Sequence, residues 1–164
     1  MRKTIVPAAL QAVYDNWHFA PAVVANGMIY CSGIVGTSPG GETPGADGLK
    51  GAESTLQGAE DAPLAALMTV RDPEAQFATA FEALKAILSE VGAGLSDVVE
   101  ITTYHVDIAR HMETFMRVKD RYLTAPYPAW TAIGVSELIV PGGLMEIRAV
   151  AMLPYQVRSN VDGG

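Results

Sequence analysis

The charged residues of one predicted strand near the C-terminus carry the strongest chemical signal in this sequence. Glu146 and Arg148 interrupt the apolar run 144–150 at positions i and i+2. Side chains alternate between the faces of a strand, so both charges lie on one face. A charge in a core strand is costly unless it is paired or faces a cleft. Two interpretations stay open: a salt bridge to a neighbouring strand or subunit, or a cleft in which Glu146 positions water or moves protons while Arg148 attracts an anion.

Trp130 stands at the start of another predicted strand, directly after Tyr127-Pro128-Ala129. It is interpreted either as an anchor of the core or of an interface, or as a wall for an apolar or planar ligand. The sequence contains no nucleophile elbow and no phosphate-binding glycine loop. The single cysteine, Cys31, lies in an apolar strand and is interpreted as a small buried hydrophobe. Three scattered histidines give no zinc pattern, so no metal site is expected.

Composition excludes several classes of function. The 164 residues make about one domain, and 11 Lys+Arg against 18 Asp+Glu give a net charge of −7. That charge argues against a nucleic-acid partner and against an anionic membrane surface. No apolar run approaches the length of a membrane span, and the N-terminal segment does not fit a secretion signal. We expect a cytoplasmic protein with a single domain, residues 1–164. Its charged fraction of only 18% indicates apolar surface buried against other subunits.

The elements that position these residues are predicted from spacing. Asn26-Gly27 between two apolar segments predicts a β-hairpin, and a short strand is expected at residues 3–6. Asp72-Pro73-Glu74 carries the signals of a helix start. An apolar stripe at spacings of three and four residues follows, formed by Phe77, Phe81, Leu84, Leu88 and Val91.

The second half of the chain alternates strands and one helix. The β-branched segment 98–106 predicts a strand, and a helix is expected over about 111–123, with Lys119 able to snorkel from its buried face. Further strands are expected at about 129–135 and 144–153. Half of the 16 glycines fall within residues 33–58, which predicts a long loop with a glycine-rich insertion at about 43–71.

This order of elements predicts an α+β fold: a two-layer sandwich in which a mixed sheet carries two helices on one face. The last strand is apolar on both sides, and no further helix remains to cover the second face of the sheet. We therefore expect oligomerisation through the sheet or through the ends of the last strands.

Four segments resemble the Rid family, the YjgF-type reactive intermediate deaminases. They are similar to its N-x-[IV]-[FY]-x-S-G strand, its D-V-V-K-T-T-V strand, its P-A-R-S/T segment and its closing V-E-I-E-A-I-A strand, at residues 27–33 (GMIYCSG), 98–104 (VVEITTY), 128–129 (PA) and 145–151 (MEIRAVA). The resemblance covers about residues 17–153. It implies a chorismate-mutase-like fold and a homotrimer with clefts between subunits. It also implies hydrolysis of enamines and imines such as 2-aminoacrylate, with no metal or cofactor.

The sequence departs from the family pattern at that cleft. The family's carboxylate-binding arginine falls at Trp130, whose neutral indole offers no charged fork to a carboxylate. Phe19 stands where a tyrosine often lines the cleft, Ala132 stands where the small residue is often cysteine, and the water-linked glutamate is retained as Glu146. The resemblance thus implies Glu146 as the catalytic residue. The implied substrate-binding residues are Trp130, Arg148, Phe19, Ala132 and Gly33, the last through nearby backbone N–H groups.

The expected function is a divergent Rid-type hydrolase or deaminase for an imine, enamine or related C–N compound, larger or more aromatic than 2-aminoacrylate. The alternative is a non-catalytic trimer of the same fold that binds a small molecule. The family's historical label of ribonuclease or translation inhibitor is disfavoured by the charge of −7. If the cleft binds a carboxylate, its cation must be Arg148, or Arg71 or Lys50 from the insertion of a neighbouring chain.

Overall fold

The structure, a computed structural model, describes residues 1–38, 41 and 68–154. Its helices are α1 (Gln11–Trp17), α2 (Pro73–Ser89) and α3 (Ile108–Tyr122), with short 3-10 turns at Ala8–Leu10 and Leu95–Asp97. Its strands are β1 (Arg2–Ile5), β2 (Ala22–Ala25), β3 (Met28–Cys31), β4 (Ile34–Val35), β5 (Thr37–Ser38), β6 (Met68–Thr69), β7 (Val98–Val106), β8 (Ala129–Val135) and β9 (Met145–Met152).

The main sheet is mixed and runs in the order β1-β2-β3-β9-β7-β8, with β4 pairing the same edge of β9 as β3. Strands β7 and β8 are parallel, whereas β9 is antiparallel to β3, β4 and β7. The α2 and α3 helices pack together through aromatic rings, with the Phe115 centroid 5.7 Å from Phe77 and 6.2 Å from Phe81. These rings share one buried core with the alternate β9 residues Met145 and Ile147. The predicted α+β architecture is confirmed.

Four local predictions are confirmed. Asn26 and Gly27 have φ angles of 50° and 75°, the left-handed pair that a tight hairpin turn needs. The Asp72 side chain caps α2 by accepting from the Ala75 N–H at 2.9 Å. Strand β7 occupies residues 98–106 as expected, and Cys31 is buried.

Other local predictions are wrong. Helix α1 was not predicted, because only Val13 is buried in this seven-residue helix and no apolar stripe marks it. The start of α3 was predicted at about 111, three residues late, since Asp107 makes no side-chain cap hydrogen bond. The loop expected within residues 33–58 begins with two short strands, β4 and β5, and β5 pairs with β6 in the 43–71 insertion. The rest of that insertion, through residue 67, lies outside the described residues. Within the described ranges, no helix is both long enough and apolar enough to span a membrane.

Candidate active site

The edge of β9 is interrupted at one point, and this interruption creates the site. Strand β3 pairs with β9 as far as Tyr30 opposite Val150, and β4 resumes the pairing at Ile34. Between them, Ser32 leaves the ladder: its N–H donates to the Pro21 carbonyl at 2.9 Å, and its hydroxyl donates to a second carbonyl nearby at 2.6 Å. The chain is held away from β9 here, as in a β-bulge.

Glu146 fills the space that this interruption leaves beside Gly33. A Cβ on Gly33 would lie 2.6 Å from Cδ and 3.0 Å from Cγ of Glu146, and would overlap its carboxylate oxygen. Only glycine therefore lets the carboxyl group lie against the backbone at this point. Gly33 was expected in the site for its neighbouring backbone N–H groups. The structure adds a steric reason for the same residue.

Glu146, Gly33 and Phe19 line one cavity of about 500 Å³. The left-handed conformation of His18, with φ 56°, ends α1. Trp17 and Phe19, on either side of it, both line the cavity. The remaining wall is largely apolar and includes Leu10, Val13, Ile34, Val35, Ile87, Ile139 and Val140. The missed helix α1 therefore provides one wall of the candidate site.

The Glu146 carboxyl group is the polar centre of this apolar cavity. Burial raises its pKa above the usual value for a glutamate. Within the described part of the chain, no hydrogen bond or ion pair engages it. A half-buried carboxyl group with a raised pKa fits a group that accepts and donates protons. The same part of the chain holds no cluster of three or more His, Cys, Asp and Glu residues suited to a metal ion.

Trp130 and Ala132 lie on β8, the strand at one edge of the main sheet. Their register partners on β7 are Ile101 and Thr103, whose side chains face the core, so Trp130 and Ala132 share the face on which α3 packs. The Trp130 ring lies 5.9 Å from Phe115, and its indole N–H donates to Thr103 Oγ1 at 2.9 Å. It lines a second cavity of about 300 Å³. Ala132 is exposed and lines neither cavity.

His105 contacts Thr103 and Phe115, the two residues that Trp130 also contacts. Its Nε2 lies 2.8 Å from Thr103 Oγ1, and its ring packs against Phe115. The residue is fully buried, and burial lowers its pKa to about 4, so it is neutral at pH 7. The chain from Trp130 through Thr103 to His105 was missed by sequence reasoning. Two polar residues at i and i+2 on the core face of a strand are the signal that marks it.

Arg148 approaches a carboxylate on a neighbouring strand, as the first interpretation of the charged strand expected, whereas Glu146 lines a cavity, as the second expected. Arg148 Nη1 lies 4.0 Å from Glu100 Oε1 on the neighbouring strand β7, and both side chains are about half exposed. An exposed pair at this distance contributes little stability. Arg148 lines neither cavity. Of the other expected cations, Arg71 is exposed beside Gly41, and Lys50 lies outside the described residues.

Lys119 is a cation that the sequence analysis did not place in the site. Its expected snorkelling is only partly correct: the residue is 8% exposed, and its Nζ bonds the carboxylate of the exposed Asp120 at 2.6 Å. The same Nζ lies 5.2 Å from the centroid of the Trp130 ring and 6.0 Å from that of Tyr127. All four residues line the second cavity. A lysine on an otherwise apolar helix face is the sequence signal for it.

Comparisons with known proteins agree with this architecture. The family model described as endoribonuclease L-PSP matches residues 9–153. The RutC family protein YjgH of Escherichia coli (strain K12) is 28% identical over 156 residues, covering 94% of this chain and 98% of that protein.

Solved structures show the same fold. The structure of protein YJGH superposes with a TM-score of 0.70 at 27% identity, covering 94% of this chain and 98% of the other. RidA from the Antarctic bacterium Psychrobacter sp. PAMC 21119 superposes at 0.61 with 26% identity, over 82% and 87% of the two chains. Rv2704 from Mycobacterium tuberculosis, described as a member of the YjgF/YER057c/UK114 family, is 22% identical with a TM-score of 0.66, over 93% and 99%, and supports the fold alone.

Proposed function

We propose that this chain, which belongs to the endoribonuclease L-PSP family of Rid or YjgF-type proteins, hydrolyses an imine, an enamine or a related C–N compound. One observation carries the proposal: the Glu146 carboxyl group, unpaired among the described residues, lies against Gly33 in an apolar cavity that raises its pKa. A carboxyl group there is suited to exchange protons with water and substrate.

The proposed reaction needs only water. Water adds to the imine carbon while the Glu146 carboxylate accepts a proton from it. Glu146 then returns the proton to nitrogen, which gives a carbinolamine. Transfer of the remaining hydroxyl proton to nitrogen, again through Glu146, breaks the C–N bond, and the products are a carbonyl compound and ammonia. For an enamine, protonated Glu146 first donates its proton to the carbon β to nitrogen, which produces the iminium form. The raised pKa of Glu146 increases the fraction of protein molecules in which this carboxyl group is protonated, which is the form that the first step requires.

We propose that the complete site forms between subunits. Glu146, Gly33 and Phe19 line one cavity, whereas Trp130 lines another, and a single chain does not join them. In the homotrimer implied by the family resemblance, the first set in one subunit would face the second set in its neighbour. Such a closed cleft would exclude bulk water and hold substrate beside Glu146.

The proposed substrates are larger or more aromatic than 2-aminoacrylate. The lining around Glu146 is mainly apolar, and the indole of Trp130 adds an aromatic surface. RNA cleavage is not proposed, because a net charge of −7 opposes binding to phosphates. The cytoplasmic location, the single domain over 1–164 and the absence of metal, cofactor, nucleic-acid and membrane partners stay predictions.

Ammonia release from a panel of freshly generated imines tests the proposal, with aliphatic and aromatic members compared. We expect wild type to prefer the aromatic imines, and Glu146→Gln to lose about 100-fold or more of that rate, as for removal of a general acid or base. Glu100→Gln, which changes an exposed carboxylate on β7, is the matched control and should keep the rate.

Equal rates for wild type and Glu146→Gln would contradict the role of Glu146.

The second candidate function is a non-catalytic trimer that binds a small molecule. The second cavity supports it, because this cavity lacks Glu146 and the indole N–H of its Trp130 is already bonded to Thr103. Saturable ligand binding without ammonia release from any imine of the panel would favour it.

A further inference from the structure

We propose that Lys119 is the anion anchor of the site and that the substrate carries a carboxylate on a flat, unsaturated group. The inference rests on the proposed function for the reaction, but the contacts that carry it belong to the second cavity alone. Lys119 lies on α3, and its Nζ lies 5.2 Å from the Trp130 ring centroid and 6.0 Å from that of Tyr127.

The Lys119 ammonium is largely removed from water and has a single carboxylate partner among the described residues. The side chain is only 10% exposed, and its one ionic partner among the described residues is Asp120, at 2.6 Å. That partner side chain is 59% exposed and therefore well solvated. A lysine ammonium has three N–H donors, and a single carboxylate leaves the others to the faces of aromatic rings. Desolvation strengthens the attraction of such a charge to an incoming anion.

The aromatic residues around Lys119 indicate the shape of the ligand. The Trp130 indole N–H is bonded to Thr103 Oγ1, so the ring is oriented by the protein and presents its face and edge to a ligand. Tyr127 is 70% exposed and leaves the entrance open. Pro128, Leu123 and Met116 complete an apolar lining of the 300 Å³ cavity. A flat unsaturated group would pack against these surfaces while its carboxylate meets Lys119 Nζ.

Arg148 is the competing anchor, and its surroundings fit that role less well. Its guanidinium is 44% exposed, approaches Glu100 at 4.0 Å and lines neither cavity. An exposed cation attracts an anion weakly because water and salt screen it, whereas the Lys119 side chain is largely removed from water.

Binding of cinnamate and of its neutral counterpart cinnamamide, measured by isothermal titration calorimetry, tests the inference without requiring turnover. We expect wild type to bind cinnamate at least about 10-fold more tightly, the value of one charge-assisted hydrogen bond. Lys119→Met keeps the length of the stem and should remove this preference while changing cinnamamide affinity less than about twofold. Lys119→Arg should retain the preference.

Two control variants complete the experiment. Lys85→Met, which removes an exposed lysine on α2, makes the same change in net charge and should leave the preference intact. Arg148→Met should also leave it intact. An unchanged preference in Lys119→Met, or its loss in Arg148→Met, would overturn the inference. If Lys119→Met does not fold, equal wild-type affinities for the two compounds would overturn it as well.

The outcome is separable from that of the proposed function. If wild type releases ammonia but Lys119→Met keeps the cinnamate preference, the hydrolase proposal stands and the anchor is wrong. If Lys119→Met loses the preference but no imine releases ammonia, the anchor stands and the protein binds carboxylates without hydrolysing the panel.

Discussion

Replacing Gly33 by alanine should displace the Glu146 carboxyl group without unfolding the protein. The added Cβ would overlap Glu146 Oε1 and lie 2.6 Å from Cδ, so the carboxyl group must retreat by more than the roughly 0.8 Å that would bring Cδ to ordinary contact at 3.4 Å. No hydrogen bond within the described residues holds this group in place, so it can rotate away. We expect the free energy of unfolding to change by less than about 1 kcal/mol, below the usual cost of overpacking a rigid core. A shift of this size in a reacting group reduces turnover by about 100-fold.

Two assays follow the displaced carboxyl group. Ammonia release measures turnover, and the ¹³C shift of the Glu146 carboxyl carbon, followed against pH by NMR, measures its pKa. Burial raises that pKa in wild type, so displacement toward solvent in Gly33→Ala should lower it toward the ordinary value. Gly94→Ala is the control, because its new Cβ would meet only Ser96 Oγ, at 4.0 Å.

A double variant tests the steric argument itself. Aspartate is one methylene shorter than glutamate, so it leaves room for the new methyl group. Gly33→Ala should therefore cause little further loss in a protein that already carries Glu146→Asp, although it is severe in wild type. Wild-type turnover and an unchanged Glu146 pKa in Gly33→Ala would refute the reasoning.

Two further predictions concern buried polar residues that stabilise the fold, Gln76 and His105. Gln76→Leu should lower the free energy of unfolding, measured by urea denaturation, by about 3 kcal/mol. The buried Gln76 amide donates to the Val70 and Gly142 carbonyls at 2.9 and 3.2 Å and accepts from the Leu144 N–H at 2.7 Å, and leucine can form none of these hydrogen bonds. A loss below about 1 kcal/mol would contradict this. The pKa of His105 is lowered to about 4 in the folded state, so stability present above pH 6.5 is lost as pH falls toward 4. Between pH 7 and pH 5 wild type should lose about 2 kcal/mol more than His105→Gln, and equal losses would exclude the buried neutral histidine.

The fold was predictable because its signals are local. The Asn26-Gly27 turn, the Asp72 cap and the β-branched segment of β7 each specify an element through spacing of a few residues. The positions of Glu146 and Arg148 on one strand face follow from the same alternation. Helix α1 was not predicted from the sequence, because its seven residues bury a single side chain and leave no periodic apolar pattern.

The site was only partly predictable, because its contacts join residues distant in sequence. The closeness of Gly33 to Glu146 depends on the register of β4 against β9, which no short motif specifies. Likewise, Lys119 meets Trp130 only when α3 packs beside β8. The candidate cations chosen from the sequence lie on the strand of Glu146 and in the insertion, whereas the cation that we propose, Lys119, lies on helix α3.

Complementation between two inactive variants tests most directly the central claim that Glu146 of one subunit acts opposite Trp130 of another. Glu146→Gln and Trp130→Ala proteins are unfolded together, refolded as a mixture and assayed for ammonia release. In randomly mixed trimers, about a quarter of the clefts would pair an intact Glu146 with an intact Trp130 from the neighbouring subunit, so about a quarter of wild-type turnover should return. A mixture that stays as inactive as its two components, despite mixed trimers in native mass spectrometry, would contradict the account.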